Sequence, residues 1–222
     1  MTWLGKLISF FPIFNSSLVI LAVLGFLVQP SLLSGLSIVF AIYAFPLICF
    51  HLHQRKFPIK HGMSDITKGY SPWYGSHMIQ CMFITFPVFE RVLRLIPGAF
   101  SFWLRLWGSQ IGNNVYWTPH LDLLDRNLLV IGDNCVLGYN VKFSSHVVTP
   151  GRRHGLIVYV KPVTVKNTAF IGAECRIGPG VVIEENSVLP ACTDVFPNMA
   201  VSGKVKPGES DKVVSRNRVT KK

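Results

Sequence analysis

The chain has 222 residues, of which 50% are hydrophobic and 15% charged, and its formal net charge is +11. This length leaves room for one or two domains, and the five cysteines show no paired spacing that predicts a disulfide framework or a metal site. The positive charge suits an anionic membrane surface, and because no zinc-ligand spacing, recognition helix or aromatic RNA-binding motif accompanies it, we do not expect a nucleic-acid partner.

Two uncharged stretches lie near the amino terminus. Residues 7 to 28 and 31 to 50 contain no charged side chain, and each is close to the roughly 20 residues that cross a hydrocarbon core of about 30 Å. Gln29 and Pro30 leave room only for a tight turn between them. The pattern predicts a transmembrane helical hairpin over residues 1 to 53. A cleaved signal peptide does not fit, because the apolar stretch is too long and a second one follows; buried helices of a soluble protein are the alternative.

Positive charges flank this hairpin unevenly. Only Lys6 precedes the first apolar stretch, whereas Arg55, Lys56, Lys60 and Lys68 follow the second. Segments rich in Lys and Arg stay in the cytosol. We therefore expect an integral protein of the cytoplasmic (inner) membrane, with both termini and the domain that follows in the cytosol.

The connecting segment, residues 54 to 108, is apolar from residue 76 onward but carries charges at Glu90, Arg91, Arg94 and Arg105. This pattern predicts amphipathic helices in the membrane interface, with the arginines near the lipid phosphates. A third full span is the rival interpretation, and charges at the bilayer centre disfavour it. The aromatic residues expected to dip into the bilayer are Phe89, Phe100, Phe102, Trp103 and Trp107.

The stretch FIGAECRIGPGVVI, residues 170 to 183, places an aliphatic residue at every sixth position. Helices repeat their apolar face every 3.6 residues and strands every two, so neither explains this period. The frame extends over Val165, Ile171, Ile177, Ile183, Leu189, Val195 and Val201, over Ile131, Leu137 and Phe143, and less regularly over Ile111, Trp117 and Leu123. The smaller residues four positions behind are Val115, Cys135, Val141, Val147, Ala169, Cys175, Val181, Ser187, Thr193 and Met199.

A unit of about four strand residues and two corner residues has this period, and stacked units bury a continuous column of side chains. Three units close one coil of about 18 residues. We therefore predict an all-β parallel helix over residues 109 to 207, followed by a basic tail over 208 to 222; sandwich strands, which alternate with period two, are the alternative. Glycines are expected to relieve the backbone at the turns: Gly112, Gly132, Gly138, Gly172 and Gly178.

Three segments, RLWGSQIGNNV (105 to 115), VIGDNCVLGYNVKFSSH (130 to 146) and KPVTVKNTAFIGAECRIGPGVVI (161 to 183), resemble the hexapeptide-repeat acyltransferases. The resemblance covers about residues 102 to 206. It implies a left-handed parallel β-helix, whereas the general rule for parallel crossovers would give the opposite hand. It also implies a homotrimer and transfer of an acyl group to a hydroxyl or an amine.

The six-residue frame breaks after Phe143 and resumes near Val163, so the intervening segment is predicted to leave the stack. His146 lies just before this excursion, and the resemblance implies that it is the general base. Imidazole suits that task because it is mostly neutral at cytosolic pH. Asp125 lies where the family often has an aspartate beside the acceptor; it could orient the imidazole or hold the acceptor hydroxyl, or could only cap its own backbone.

The resemblance further implies acyl-CoA as co-substrate, without a metal. Main-chain groups near Gly172, Gly178 and Ala191 would line a groove for its pantetheine, and Lys204 and Lys206 lie near the position of the family's final basic residue.

The segment LPACTDVFPNMAVSGKVKPGE, residues 189 to 209, is shorter than the family's ending and lacks its Thr-Lys pair. The donor nucleotide is then held differently, or the donor is an acyl carrier protein. In the excursion, Arg152 and Arg153 could bind a substrate phosphate or carboxylate, or form a solvated loop tip.

These features together predict a membrane-bound acyltransferase that acts on a lipid or lipid-linked acceptor. A non-catalytic assembly or scaffold protein at the membrane is the first alternative. The second is an enzyme like the gamma-class carbonic anhydrases, which needs three zinc-binding histidines. His120, His146 and His154 are available for that role.

Overall fold

The computed structural model describes residues 2–151 and 155–205. Within this part, the chain divides into two compact units. The helical unit comprises residues 2–60, 64–89, 149–151 and 155–157, and the repeat unit comprises residues 61–63, 90–148 and 158–205.

Two long helical segments, Trp3–Val28 and Leu32–Lys56, make up most of the helical unit. The most apolar 18-residue window of each segment has a mean hydropathy of 2.2, and only 6% and 11% of these windows are buried. By length and composition both could cross a membrane. Their elements are α1 Trp3–Ile8, α2 Phe11–Val28, α3 Leu32–Val39, a π-helical turn Phe40–Ala44 and α4 Phe45–Lys56.

The predicted tight turn at Gln29 and Pro30 is confirmed. The helix after it begins with a reciprocal cap, in which Ser31 Oγ accepts the Ser34 N–H at 3.1 Å and Ser34 Oγ accepts the Ser31 N–H at 3.0 Å. The π-helical turn lies just before Pro46. Proline lacks the N–H that would continue the ladder and its ring crowds the preceding turn, which accounts for the local widening.

Helix α5, Pro72–Thr85, packs against α2 and α4 and buries Trp73, Ile79 and Phe83. Asn15, within α2, is fully buried and donates from Nδ2 to the sulfur of Met82 at 2.8 Å. A polar side chain thus lies at the contact between these two helices.

Residues 76 to 107 do not form one continuous helix in the described structure. Helix α5 ends at Thr85, and two short helices follow, α6 Val88–Leu93 and α7 Ala99–Leu106. The expectation that the aromatic residues here face the bilayer is wrong for Phe100, Trp103 and Trp107, which are 2%, 5% and 0% exposed within the protein.

The reason is that α7 packs on the first coil of the repeat unit. The open end of a stacked column leaves apolar side chains uncovered, and the Phe100 ring meets the Trp117 ring edge-on at 5.0 Å there. Two of the arginines, Arg94 and Arg105, likewise bind main-chain carbonyls of the first coil. Arg105 donates to Ile111 O and Gly112 O at 2.8 and 2.7 Å.

The repeat unit is a three-faced parallel β-helix, as the period of six predicts. Successive short strands lie on successive faces, and each face is a parallel sheet. The first face holds β2 Gln110–Ile111, β5 Leu129–Ile131, β10 Val163–Val165, β13 Val182–Ile183 and β16 Ala200–Val201; the second holds β3 Tyr116–Trp117, β6 Val136–Leu137, β11 Phe170–Ile171 and β14 Val188–Leu189; the third holds β4 Asp122–Leu123, β7 Lys142–Phe143, β12 Arg176–Ile177 and β15 Asp194–Val195. The left hand of the coil stays a prediction.

The predicted column is confirmed at almost every position. The leading residues Ile111, Leu123, Ile131, Leu137, Phe143, Val165, Ile171, Ile177, Ile183, Leu189, Val195 and Val201 are at most 7% exposed. Trp117, Val115 and Met199 are half-buried. Val147 is an exception, with 42% of its side chain exposed, because the chain has already left the coil there. It belongs to β8, His146–Pro150, which forms a three-stranded sheet with β9, Leu156–Val160, and β1, Gly62–Asp65.

The expected role of the repeat glycines is wrong. The left-handed corner conformation is taken by other residues, among them Asn134 with φ 57° and Glu174 with φ 61°. The glycines are needed for space: a Cβ on Gly138 would lie 2.6 Å from Ala173 N, and one on Gly172 would lie 2.4 Å from Ala191 N. The coils stack so closely at these corners that no side chain fits.

Two coils depart from the regular length at the same corner. Strand partners on regular coils are 18 residues apart, as in Thr164 and Val182. On the first coil Gln110 pairs with Val130, 20 residues later, and on the second coil Val130 pairs with Thr164, 34 residues later. Both insertions fall between the third face and the first, so residues 124–128 and the start of the excursion lie beside each other.

Candidate active site

The two sequence-predicted catalytic residues meet at this irregular corner. Asp125 lies in the short insertion of the first coil, and His146 begins β8 directly above it in the next coil. Nδ1 of His146 lies 2.7 Å from Oδ2 of Asp125. The carboxylate is 2% exposed and the imidazole 12%, so both groups are largely buried.

Hydrogen bonds from the second coil fix this pair. The Ser145 N–H donates to the same oxygen of Asp125 at 3.1 Å, and Ser145 Oγ donates to Leu128 O at 2.9 Å. Ser144 Oγ donates to the His146 carbonyl at 2.6 Å. Oδ2 of Asp125 thus bonds to residues 20 and 21 positions later, which ties the first coil to the second.

This arrangement defines the tautomer of the histidine. A carboxylate accepts, so the hydrogen-bonding pattern assigns the imidazole proton to Nδ1. The basic lone pair is then on Nε2. The geometry can therefore accept a proton at Nε2 and stabilise the resulting imidazolium through Asp125, as in other His–carboxylate pairs.

A shallow groove of about 370 Å³ runs over the third face next to this corner. Ser144, Val147 and Gly178 line it, together with Pro179, Phe196 and Pro197. Its polar wall includes Arg176, which binds Asp194 through two N–H groups, and these contacts raise the pKa of Arg176. Gly178, one of the predicted donor-binding residues, therefore lines a groove that reaches the neighbours of His146.

The structure does not gather all the predicted donor-binding residues in one place. Gly172 packs on the main chain of Ala191 at a different corner, after the second face. Lys204 is exposed and its backbone pairs with Val188. Lys206 and the predicted substrate-binding residues Arg152 and Arg153 lie outside the described residues, as does His154.

Sequence reasoning missed a buried ion pair beside the site. Arg126 follows Asp125 in the short insertion, and its guanidinium binds both carboxylate oxygens of Glu90, with Nε at 2.6 Å and Nη2 at 2.9 Å. Glu90 had been expected only as a charged residue of an amphipathic helix in the membrane interface. The sequence did contain a signal for this pair: the first coil is two residues longer than the repeat requires, and the inserted segment carries the charged residues Asp125 and Arg126.

Arg94 also anchors the first coil. Arg94 donates to Pro119 O and to Leu121 O, and its guanidinium lies 4.1 Å above the Phe100 ring. Burial lowers the pKa of Arg94 to about 10, so the group stays charged at neutral pH.

The two cysteines on the repeat frame are core residues. Cys135 and Cys175 are fully buried, and burial raises the pKa of each thiol. Their sulfurs donate to Lys166 O and Pro190 O in the next coil. They fill the column and link coils.

Fold and site together define a parallel β-helix protein with a histidine–carboxylate pair at an interrupted corner. No protein-family model matches the chain. It is 35% identical over 105 residues to galactoside O-acetyltransferase of Escherichia coli K12, an alignment that covers 44% of this chain and 52% of that enzyme. It is 27% identical over 117 residues to galactoside O-acetyltransferase of Lactococcus lactis, covering 46% and 56%.

The chain thus spans about half the length of the curated relatives it matches. Among solved structures, it is similar to a hexapeptide-repeat acetyltransferase of Vibrio cholerae in complex with acetyl coenzyme A, with 19% identity, a TM-score of 0.39, and coverage of 58% of this chain and 85% of that one. The sequence similarities support the resemblance to hexapeptide-repeat acetyltransferases.

Proposed function

We propose that the protein is a membrane-bound acyltransferase that moves an acyl group from acyl-CoA to a hydroxyl or amine of a lipid or lipid-linked acceptor. The observation that supports this most directly is the 2.7 Å contact between His146 Nδ1 and Asp125 Oδ2. It assigns the imidazole proton to Nδ1 and so makes Nε2 the basic nitrogen, and the neighbouring residues Ser144 and Val147 line a groove. The similarity of the repeat segment to two galactoside O-acetyltransferases adds the reaction class.

The reaction would proceed through one base and two bond changes. Nε2 of His146 takes the proton from the acceptor hydroxyl or amine as its oxygen or nitrogen attacks the thioester carbonyl carbon. The tetrahedral intermediate then collapses, the carbon–sulfur bond breaks, and the thiolate takes the proton back from the imidazolium. The products are the acylated acceptor and free coenzyme A. A positioned base of this kind contributes about 10²- to 10⁴-fold in rate.

The donor would lie in the groove over the third face, with main-chain groups near Gly178 along its pantetheine. Gly172, Ala191, Lys204 and Lys206 belong to the same proposal at positions further along the coils. An acyl carrier protein is the alternative donor, since the segment after Leu189 lacks the family's Thr-Lys pair. Parallel assays with acetyl-CoA and with an acylated carrier protein separate the two.

The acceptor is proposed from the helical unit. Large apolar side chains at the hairpin tip are almost fully exposed: Val28 at 86%, Leu32 at 81% and Leu33 at 79%. Such a surface needs an apolar surrounding, and a bilayer supplies it. The flanking positive charges support a topology with both termini in the cytosol. An acceptor with a lipid tail would be held in the same membrane.

A homotrimer is part of the proposal. On the second face, Tyr116, Val136, Phe170 and Val188 stand in register on neighbouring strands and point away from the column. Tyr116 and Phe170 are 63% and 45% exposed. This apolar strip offers a flat contact for another copy, and closed cyclic symmetry is the usual outcome for such assemblies.

The proposed chemistry is tested by thiol release from acetyl-CoA in membranes that contain the purified protein and candidate acceptors. His146→Ala should lower the rate by about 10²- to 10⁴-fold. The matched control is His120→Ala, because His120 is an exposed histidine of the same unit whose ring contacts that of Tyr139 at a tilted angle. Equal rates for the wild type and His146→Ala would contradict the assignment.

The alternatives make different predictions. A non-catalytic scaffold would keep its cellular function in the His146→Ala variant. A zinc enzyme would carry about one zinc ion per chain, and elemental analysis of the purified protein measures this directly.

A further inference from the structure

Glu90 and Arg126 form a buried ion pair one residue from Asp125. Their side chains are 3% and 1% exposed. The guanidinium binds both carboxylate oxygens, and the Trp103 indole N–H donates to Oε1 of Glu90 at 3.0 Å. The planar fork of arginine fixes both the position and the orientation of the partner groups.

The backbone after this pair is fixed as well. Ser109 Oγ donates to Arg126 O at 2.7 Å and accepts the Leu129 N–H at 3.0 Å. Ser145 Oγ donates to Leu128 O at 2.9 Å. The short insertion that carries Asp125 is thereby held from its Arg126 end to the first residue of β5.

Stability alone does not explain this pair. Two charges lose their hydration on burial, and apolar side chains of similar volume often serve a fold equally well. The pair does, however, fix the backbone conformation of the insertion. An insertion of two residues in a tight corner has several backbone conformations, and the Arg126–Glu90 fork selects one.

We propose that Glu90 and Arg126 are positioning residues, which hold Asp125 where its carboxylate fixes the tautomer and orientation of His146. The consequence for catalysis rests on the proposed function. The consequence for the imidazole does not, and can be measured without any substrate.

The test uses the neutral double variant Glu90→Gln with Arg126→Met. The glutamine side chain is not charged, yet its amide oxygen can still accept the Trp103 N–H, and methionine replaces the buried stem of arginine. The control pair is Lys166→Met with Glu184→Gln, which removes an exposed ion pair of the same unit; such surface pairs contribute little. Circular dichroism and thermal unfolding confirm that both double variants fold.

The first measurement is ¹⁵N NMR of the full-length protein in micelles, labelled on histidine, with the His146 signals assigned from a His146→Gln sample. The wild type and the control should show the Nδ1–H tautomer. The Glu90→Gln/Arg126→Met variant should show a mixture of both tautomers. An unchanged Nδ1–H tautomer in this variant would overturn the proposal. If the variant does not fold, Arg126→Lys replaces it, since lysine keeps the charge but loses the fork; the same shift toward a mixture is expected.

The second measurement is a double-mutant cycle on acyl transfer. Loss of the pair should lower kcat roughly 10-fold with the KM for acetyl-CoA unchanged, and should lower it no further in an Asp125→Asn background. Equal losses in both backgrounds would mean a general structural role and would contradict the proposal. If the wild type transfers no acyl group, the proposed function fails, and the NMR result still decides the positioning role.

Discussion

Asp125 and His146 are separated by 21 residues, yet their side chains meet at 2.7 Å because both belong to insertions at one corner of the β-helix. The first insertion brings the carboxylate and the second brings the imidazole. A rigid stack of coils holds the corner from below and above. The pair is therefore a product of where the repeat is interrupted, and not of the repeat itself.

Asp125→Asn should lower kcat about 10-fold or more with little change in KM, because the amide no longer acts as an anionic acceptor for the Nδ1–H. Steady-state kinetics with acetyl-CoA measure this. Asp122→Asn is the matched control, since Asp122 is an exposed aspartate on the same coil that faces Lys142 at 3.7 Å. A variant at Asp125 with wild-type kcat would contradict the role given to the carboxylate.

Gly172→Ala should destabilise the repeat unit by about 1–3 kcal/mol or more, which is the usual cost of overpacking. The added Cβ would lie 2.4 Å from Ala191 N and 2.6 Å from Pro190 C, and neither is a flexible side chain. Gly69→Ala is the control, because nothing lies within 4 Å of its Cβ position. Thermal unfolding of the two variants compares them; equal midpoints would show that the coils have room to spare.

Glu174→Gly should stabilise the protein by up to about 1 kcal/mol, because the left-handed conformation costs an ordinary residue about 1–2 kcal/mol and glycine almost nothing. Glu174 is exposed and has φ 61°. Glu185→Gly, on the next coil at an exposed position without a positive φ, should instead destabilise by about 0.5–1 kcal/mol. Chemical denaturation distinguishes the two signs, and a loss of stability at both positions would refute the strain argument.

The column and its three faces could be predicted because a six-residue period is a local property of the sequence, which stacking converts directly into burial. The role of individual residues at the corners could not be predicted in the same way. The sequence suggests glycine for every strained turn, whereas Asn134 and Glu174 carry the positive φ and the glycines provide clearance between coils.

Contacts between distant segments could not be predicted from the pattern. Trp103 and Trp107 belong to a segment with the composition of an interfacial helix. Both side chains are nevertheless buried, because the helix covers the open end of the column. Glu90 binds Arg126, which lies 36 residues later in the chain. Likewise, Asp125 and His146 were predicted through a family resemblance, while the spacing of residues alone did not bring them together.

Alkaline pH should destabilise the helical unit through Tyr70. Burial raises the pKa of Tyr70 to about 12, above its ordinary value of 10, and its hydroxyl lies 2.6 Å from His53 Nε2. The folded state therefore retains the phenolic proton more tightly than the unfolded state. The stabilising effect is fully present below pH 10 and is lost as the pH rises toward 12.

Tyr70→Phe should accordingly flatten the decline in thermal stability over this pH range, and absorbance titration at alkaline pH should lose its latest tyrosine transition. Tyr139→Phe provides the control, because Tyr139 is 51% exposed in the repeat unit. A wild-type titration in which Tyr70 ionises near pH 10 would contradict the burial argument.

The most direct test of the account is mass spectrometry of membrane lipids, glycolipids and lipid-linked precursors from cells that express either the wild type or His146→Ala. The account predicts a class of membrane molecules that gains the mass of one acyl group with the wild-type protein and loses it when His146 is replaced. Identical profiles in the two strains, with both proteins present in the membrane at equal levels, would contradict it.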